Sequence, residues 1–99
     1  MAIEQLLLQK IKNSLRISHS MLDDDVTDSI GACLQDLKVC GVKDPDANDP
    51  LILNAIKLYC KAAYTDDTDK AAAYQARYDS LKSCLMMAEG YGAEVVAYE

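Results

Sequence analysis

Residues 49–64, DPLILNAIKLYCKAAY, constrain the fold more than any other stretch of this chain. At about 100° per residue they read as one helix, with Asn54, Lys57 and Lys61 on a narrow polar stripe. Leu51, Ile52, Leu53, Ala55, Ile56, Leu58, Tyr59, Cys60 and Ala63 cover the rest of its circumference. A helix so nearly apolar all round belongs inside a shell of others, so the remaining segments are expected to enclose it. Its start is specified locally. Asp49 is placed to cap free backbone amides, and Pro50 takes the first helical position, where a missing N–H costs nothing.

The rest of the chain supplies amphipathic partners. Ile3, Leu7, Leu8, Ile11 and Leu15 predict a first helix over about residues 2–15, with Lys10, Lys12 and Arg16 near its carboxyl end. Leu6 falls off that stripe and is free to meet another segment or another subunit. After the polar break Ser18-His19-Ser20, a second helix is predicted over residues 22–40 from Leu22, Val26, Ile30, Cys33, Leu34, Leu37 and Cys40. Asp23, Asp24 and Asp25 crowd its positive end, and Gly41 is placed to stop it in a left-handed conformation. Residues 42–48 (VKDPDAN) are turn-rich, with Pro45 holding Asp44 extended.

A last helix is predicted over residues 69–89, where Ala71, Tyr74, Tyr78, Leu81, Leu85 and Ala88 form the face for the core. A second set, Ala72, Ala73, Ala76, Cys84 and Met87, is more apolar than a purely solvated face needs and suits contact with another subunit. Gly90 and Gly92 stop the helix. Residues 93–99 (AEVVAYE) then leave as a tail whose Val95, Val96 and Tyr98 prefer a strand and suit pairing with a neighbouring chain. The expected fold is all-α: a compact four-helix bundle (about 2–15, 22–40, 50–64 and 69–89) in a single domain 1–99, with 90–99 as a terminal arm.

A chain of 99 residues has room for one core. Half its residues are hydrophobic (51%) but none is Phe or Trp, so that core must be aliphatic, with tyrosine as its aromatic component. A formal charge of −6 and the absence of any basic run argue against a domain that grips phosphates. The first residues have neither a basic leader nor an apolar run long enough for a bilayer, which implies synthesis in the cytoplasm and no membrane contact. Cys33, Cys40, Cys60 and Cys84 all fall at helical positions that favour burial, and are expected as reduced core residues.

Few residue patterns here carry chemistry. His19 is the single histidine, beside Ser18 and Ser20 but with no nucleophile elbow around it, and reads as a loop residue next to a helix start. Asp23 and Asp25 alternate as in a calcium loop, yet Thr27 and Asp28 stand where further ligands and a glycine are needed. Helix-start carboxylates account for them, and for Asp66, Asp67 and Asp69. No Cys-x-x-Cys occurs, and Gly90-x-Gly92 lacks the strand and helix that phosphate binding requires. No catalytic, cofactor or metal site is therefore expected, and an interaction protein is.

Three stretches, LDDDVTDSIGACLQDL at 22–37, DPLILNAIKLYCKAAY at 49–64 and YQARYDSLKSCLMMAEGY at 74–91, follow one another as in the gp6-like head-tail connector family of tailed bacteriophages, and the chain resembles that family, also labelled phage DNA-packaging or head completion proteins, over nearly its whole length. The resemblance implies a non-enzymatic helical subunit of the virion's head-tail junction. Such subunits form a ring beneath the portal protein, extend the DNA exit channel, and dock the next tail-proximal connector or stopper protein. DNA passes through such a ring without being read in sequence. A ring needs two different patches that meet head to tail. The candidates here are Ala72, Ala73, Ala76 and Met87 on one side and Leu6 on the other, with Val95, Val96 and Tyr98 adding a strand to portal or neighbour. The contrasting reading is a small helical regulatory module that binds a host protein or peptide one-to-one in a groove between its first two helices.

Overall fold

Periodic apolar residues and local stop signals produce four helices, α1 (Gln5–Leu15), α2 (Asp23–Val39), α3 (Pro50–Tyr64) and α4 (Thr68–Met87), in the computed structural model, which describes residues 5–43 and 45–88. The expected all-α four-helix architecture is the one observed. Ile3, Asp44, the glycine stop at Gly90 and Gly92, and the arm with Val95, Val96 and Tyr98 lie outside the described residues.

The helix ends show how local chemistry sets the boundaries. Asp49 accepts a hydrogen bond from the Leu51 amide at 2.8 Å, with Pro50 opening α3 as expected. Asp67 caps α4 by accepting from the Lys70 amide at 3.1 Å, which starts that helix at Thr68. Lys70 thus occupies the third helical position, where a Glu would complete a capping box and where a cation opposes the helix dipole.

α1 and α2 both close in a Schellman arrangement. After α2, the Gly41 amide donates to the Lys38 carbonyl at 3.1 Å and Val42 to Leu37 at 2.9 Å, with Gly41 at φ 108°. After α1, Arg16 donates to Asn13 at 3.1 Å and Ile17 to Lys12 at 2.9 Å, with Arg16 at φ 60°. The same left-handed position is held by glycine once and by arginine once. For a residue with a Cβ that conformation costs about 1 kcal/mol.

α3 packs against each of the other three helices, most extensively against α4. Ile52, Ala55, Ile56 and Cys60 are its buried face, joined by Leu7, Leu8 and Ile11 of α1, Val26, Ile30, Cys33 and Leu37 of α2, and Tyr78 and Leu85 of α4. The helix is central but not enclosed, which corrects the sequence expectation. Leu51 keeps 45% of its surface in water, Ala63 is exposed, and Leu53, Leu58 and Tyr59 are half-buried. The surface of α3 that its three neighbours leave open includes Leu51, Asn54 and Ala63, with Lys57 and Lys61 half-buried along their stems.

Contacts between elements fix the relative directions. Lys12 at the end of α1 pairs with Asp23 at the start of α2, and Ser29 of α2 lies 3.4 Å from the Tyr64 hydroxyl at the end of α3. The ends of α1 and α3 and the starts of α2 and α4 therefore share one end of the molecule.

The cysteines divide in a way the sequence did not indicate. All four are free thiols, with Cys33 and Cys60 buried, Cys40 half-buried and Cys84 exposed, so Cys84 is not a core residue. On α4 the buried stripe is narrow, and Cys84 lies outside it beside Leu85. Burial pushes the Cys33 and Cys60 thiols up to about 12. In the native protein a thiol reagent at neutral pH should therefore modify Cys84 first and leave Cys33 and Cys60 untouched until denaturant is added. Equal rates at all four positions would contradict this packing.

Candidate interaction surfaces

The part-buried polar groups between helices act as structural ties. Asp36 of α2 accepts hydrogen bonds from the Tyr78 hydroxyl at 2.7 Å and from Lys82 Nζ at 3.1 Å, both on α4. Lys82 Nζ also sits 5.2 Å from the Tyr78 ring centroid, and the Tyr59 ring meets Tyr78 edge-on at 5.3 Å. The Cys33 thiol points at the Tyr78 hydroxyl from 3.8 Å. The Tyr78 hydrogen bond, assisted by Lys82, holds the Asp36 carboxyl below its ordinary value against the opposing effect of burial. Burial first, then the same hydrogen bond, pushes the Tyr78 hydroxyl far up. Burial is the strongest single influence on Lys82 and works to lower it, but the bond to Asp36 and the negative charge of Asp36 and its neighbours together outweigh it and leave the ammonium raised. Every group in the network is held in the protonation state it has at neutral pH, the condition for a fixed tie and the opposite of what proton transfer needs.

At the other end of the bundle, Lys12 is buried and its ammonium meets Asp23 Oδ1 at 2.6 Å as an ion pair outside hydrogen-bonding angles. This pair spans the seam between α1 and α2, where the one-to-one reading put its peptide groove. His19 is exposed and its Nδ1 accepts from the Met21 amide at 3.3 Å, the arrangement of a turn residue. Among the described residues no three His, Cys, Asp or Glu side chains cluster as metal ligands would, and no helix is long and apolar enough to cross a membrane.

Those contact residues proposed from sequence that lie among the described residues divide between two helices. Leu6 on α1 is 63% exposed and Met87 on α4 is 78% exposed, while Ala72, Ala73 and Ala76 lie exposed along α4. Sequence reasoning passed over Val39, Leu51 and Met86, which are also exposed. Val39 closes α2, Leu51 opens α3, and Met86 and Met87 close α4, so these apolar side chains gather at the end away from the Lys12–Asp23 pair. Position on a wheel cannot reveal this, because the grouping depends on which helix ends coincide.

Clefts lie on both flanks of α4. On its α2 side, Asp28, Ala32, Ala62, Ala63, Ala71 and Ala72 line a shallow groove. On its α1 side, a cleft of about 440 Å³ is lined by Arg16, Lys61 and Lys70 together with Tyr64 and Tyr74, and the Lys61 ammonium lies 5.7 Å from the Tyr74 ring centroid. A chain of net charge −6 thus gathers three cations from three separate elements in one cleft.

The chain matches a known protein family. The model of a family described as "Phage connector protein" matches residues 7–92, a span that includes most of α1 and all of α2, α3 and α4. No curated protein matches the chain. No solved structure matches it either.

Proposed function

Since the chain belongs to the phage connector protein family, we propose that it is a non-enzymatic head-tail connector subunit of a tailed bacteriophage. In this reading one domain forms a ring beneath the portal, extends the DNA exit channel and docks the next tail-proximal protein. The observation that carries it is the family match across all four helices. Support comes from the way those helices are tied. An aliphatic core with cross-helix bonds from Asp36 to Tyr78 and Lys82 makes a rigid building unit, as a channel wall requires.

The surfaces are consistent with assembly. Leu6, Ala72, Ala73, Ala76 and Met87, with Val95, Val96 and Tyr98 of the arm, are the proposed subunit and partner contacts. Val39, Leu51 and Met86 extend them into an apolar end suited to a neighbouring virion protein. The acidic balance of the chain lets DNA pass without being held.

The test combines native mass measurement of concentrated protein with co-sedimentation on portal-containing capsids. Ring-sized species, or saturable binding to capsids that carry portal and none to capsids without it, is the expected result. A protein that stays monomeric and binds neither kind of capsid would overturn the proposal.

A further inference from the structure

We propose that the basic cleft between α1, α3 and α4 receives the acidic start of α2 from a second copy of this chain, so that subunits join head to tail through Arg16, Lys61 and Lys70 on one side and Asp24, Asp25 and Asp28 on the other. This inference rests on the connector reading and specifies the contact that reading requires.

Two of the cations occupy positions the backbone disfavours. Arg16 holds the left-handed position that Gly41 fills in the matching motif after α2. Lys70 stands in the first turn of α4, where a carboxylate would be the stabilising choice. Residues that break a local rule without local gain mark places where the surface is used for something else. Here both breaches put positive charge into the same cleft.

The charges also lack carboxylate partners. Among the described residues, no carboxylate lies within ion-pair distance of Arg16, Lys61 or Lys70. Asp24, Asp25 and Asp28 are exposed and equally without a cation, whereas their neighbour Asp23 is engaged by Lys12. Asp24 and Asp28 are one helical turn apart, and with Asp25 they form a single acidic edge.

Geometry makes these two patches complementary between copies. Both lie at the end where α1 and α3 finish and α2 and α4 begin. The basic cleft is on the α1 side of α4, and Asp28 borders the groove on the α2 side. Two unlike patches at one level on opposite flanks are what a closed heterologous assembly needs. A DNA phosphate is the weaker occupant. Asp66, Asp67 and Asp69 are exposed beside Lys70, and would repel a long polyanion more than a single helix start.

Sedimentation velocity at protein concentrations up to about 1 mM tests the pairing. Wild-type association should weaken as salt rises from about 50 to about 500 mM, because screening acts on rim charges. The double variant Arg16→Gly/Lys70→Glu should associate at least about ten-fold more weakly while melting at an equal or higher temperature, since both changes suit the backbone. Asp28→Lys should show the same loss of association. Mixing the two variants should restore it, because the first keeps its acidic edge and the second keeps its basic cleft.

The pairing is overturned if both variants associate like wild type, if the mixture fails to recover, or if the wild type is monomeric at low salt. It is also overturned if the double variant instead loses affinity for a duplex oligonucleotide. Capsids that bind wild type and both variants equally would remove the pairing and leave the connector reading standing. Capsids that never bind the wild type would remove the connector reading itself.

Discussion

Replacing Ile56 by alanine should lower the free energy of unfolding by about 3–4 kcal/mol, as expected for deleting a fully buried aliphatic side chain that its surroundings cannot collapse onto. Ile56 is 0% exposed, near the middle of the one helix that contacts every other. A domain of this size has roughly 5–10 kcal/mol in total, so the change removes a third or more of it and lowers the melting midpoint by about 15–25 °C. Denaturant titration followed by circular dichroism measures the loss directly. Leu51→Ala, on the same helix but 45% exposed, should cost well under half as much. If the two substitutions proved equally mild, α3 could not be the packing centre described above.

The second large effect is expected at Tyr78, which is 1% exposed. Tyr78→Phe keeps the ring and its edge contact with Tyr59 while removing the hydrogen bond to Asp36. Losing a bond to a charged acceptor costs about 1–2 kcal/mol here, at the low end of its range because the Asp36 side chain keeps 36% of its surface in water. The signature lies in the pH dependence. Asp36 is held below its ordinary value in the folded state, so its contribution is complete above the unfolded value near 3.8 and is lost as pH falls through the folded one. Tyr78 is raised, so its contribution is complete below about pH 10 and is lost as pH rises further. The stability difference between wild type and Tyr78→Phe should be level between these limits and shrink beyond each. A difference unchanged at pH 3 would show that the Asp36 bond is not its source.

Helix boundaries were legible in the sequence because they are set within a few residues. Asp49-Pro50 and Gly41 act where expected, and α4 begins one residue before the expected start because Asp67 serves as its cap. Pairings across helices were not legible. Periodicity assigns Tyr78 to the inner face of α4 and Lys12 to the last turn of α1, but says nothing of which carboxylate each meets. A partial signal was present in Asp36, which stands three residues after Cys33 and four before Cys40 at the border of the apolar stripe, where a carboxylate can reach a neighbouring helix. The basic cleft left no trace in sequence, since Arg16, Lys61 and Lys70 come together only when three helix ends do. The overestimate of α3 burial has a simple cause. A wheel counts apolar residues around a helix, whereas enclosure depends on how many neighbours a short chain can supply.

The link of residues 65–67 joins the two helices that share the most extensive contact, and this bears on the order in which the molecule can assemble. A hairpin closed by so short a connection loses little chain entropy on forming, which favours it as the nucleus. It also follows α1 and α2 in the order of synthesis. The apolar stripes of α1 and α2 therefore leave the ribosome before the surface that must cover them exists, and the folding of the first half waits on translation of the second.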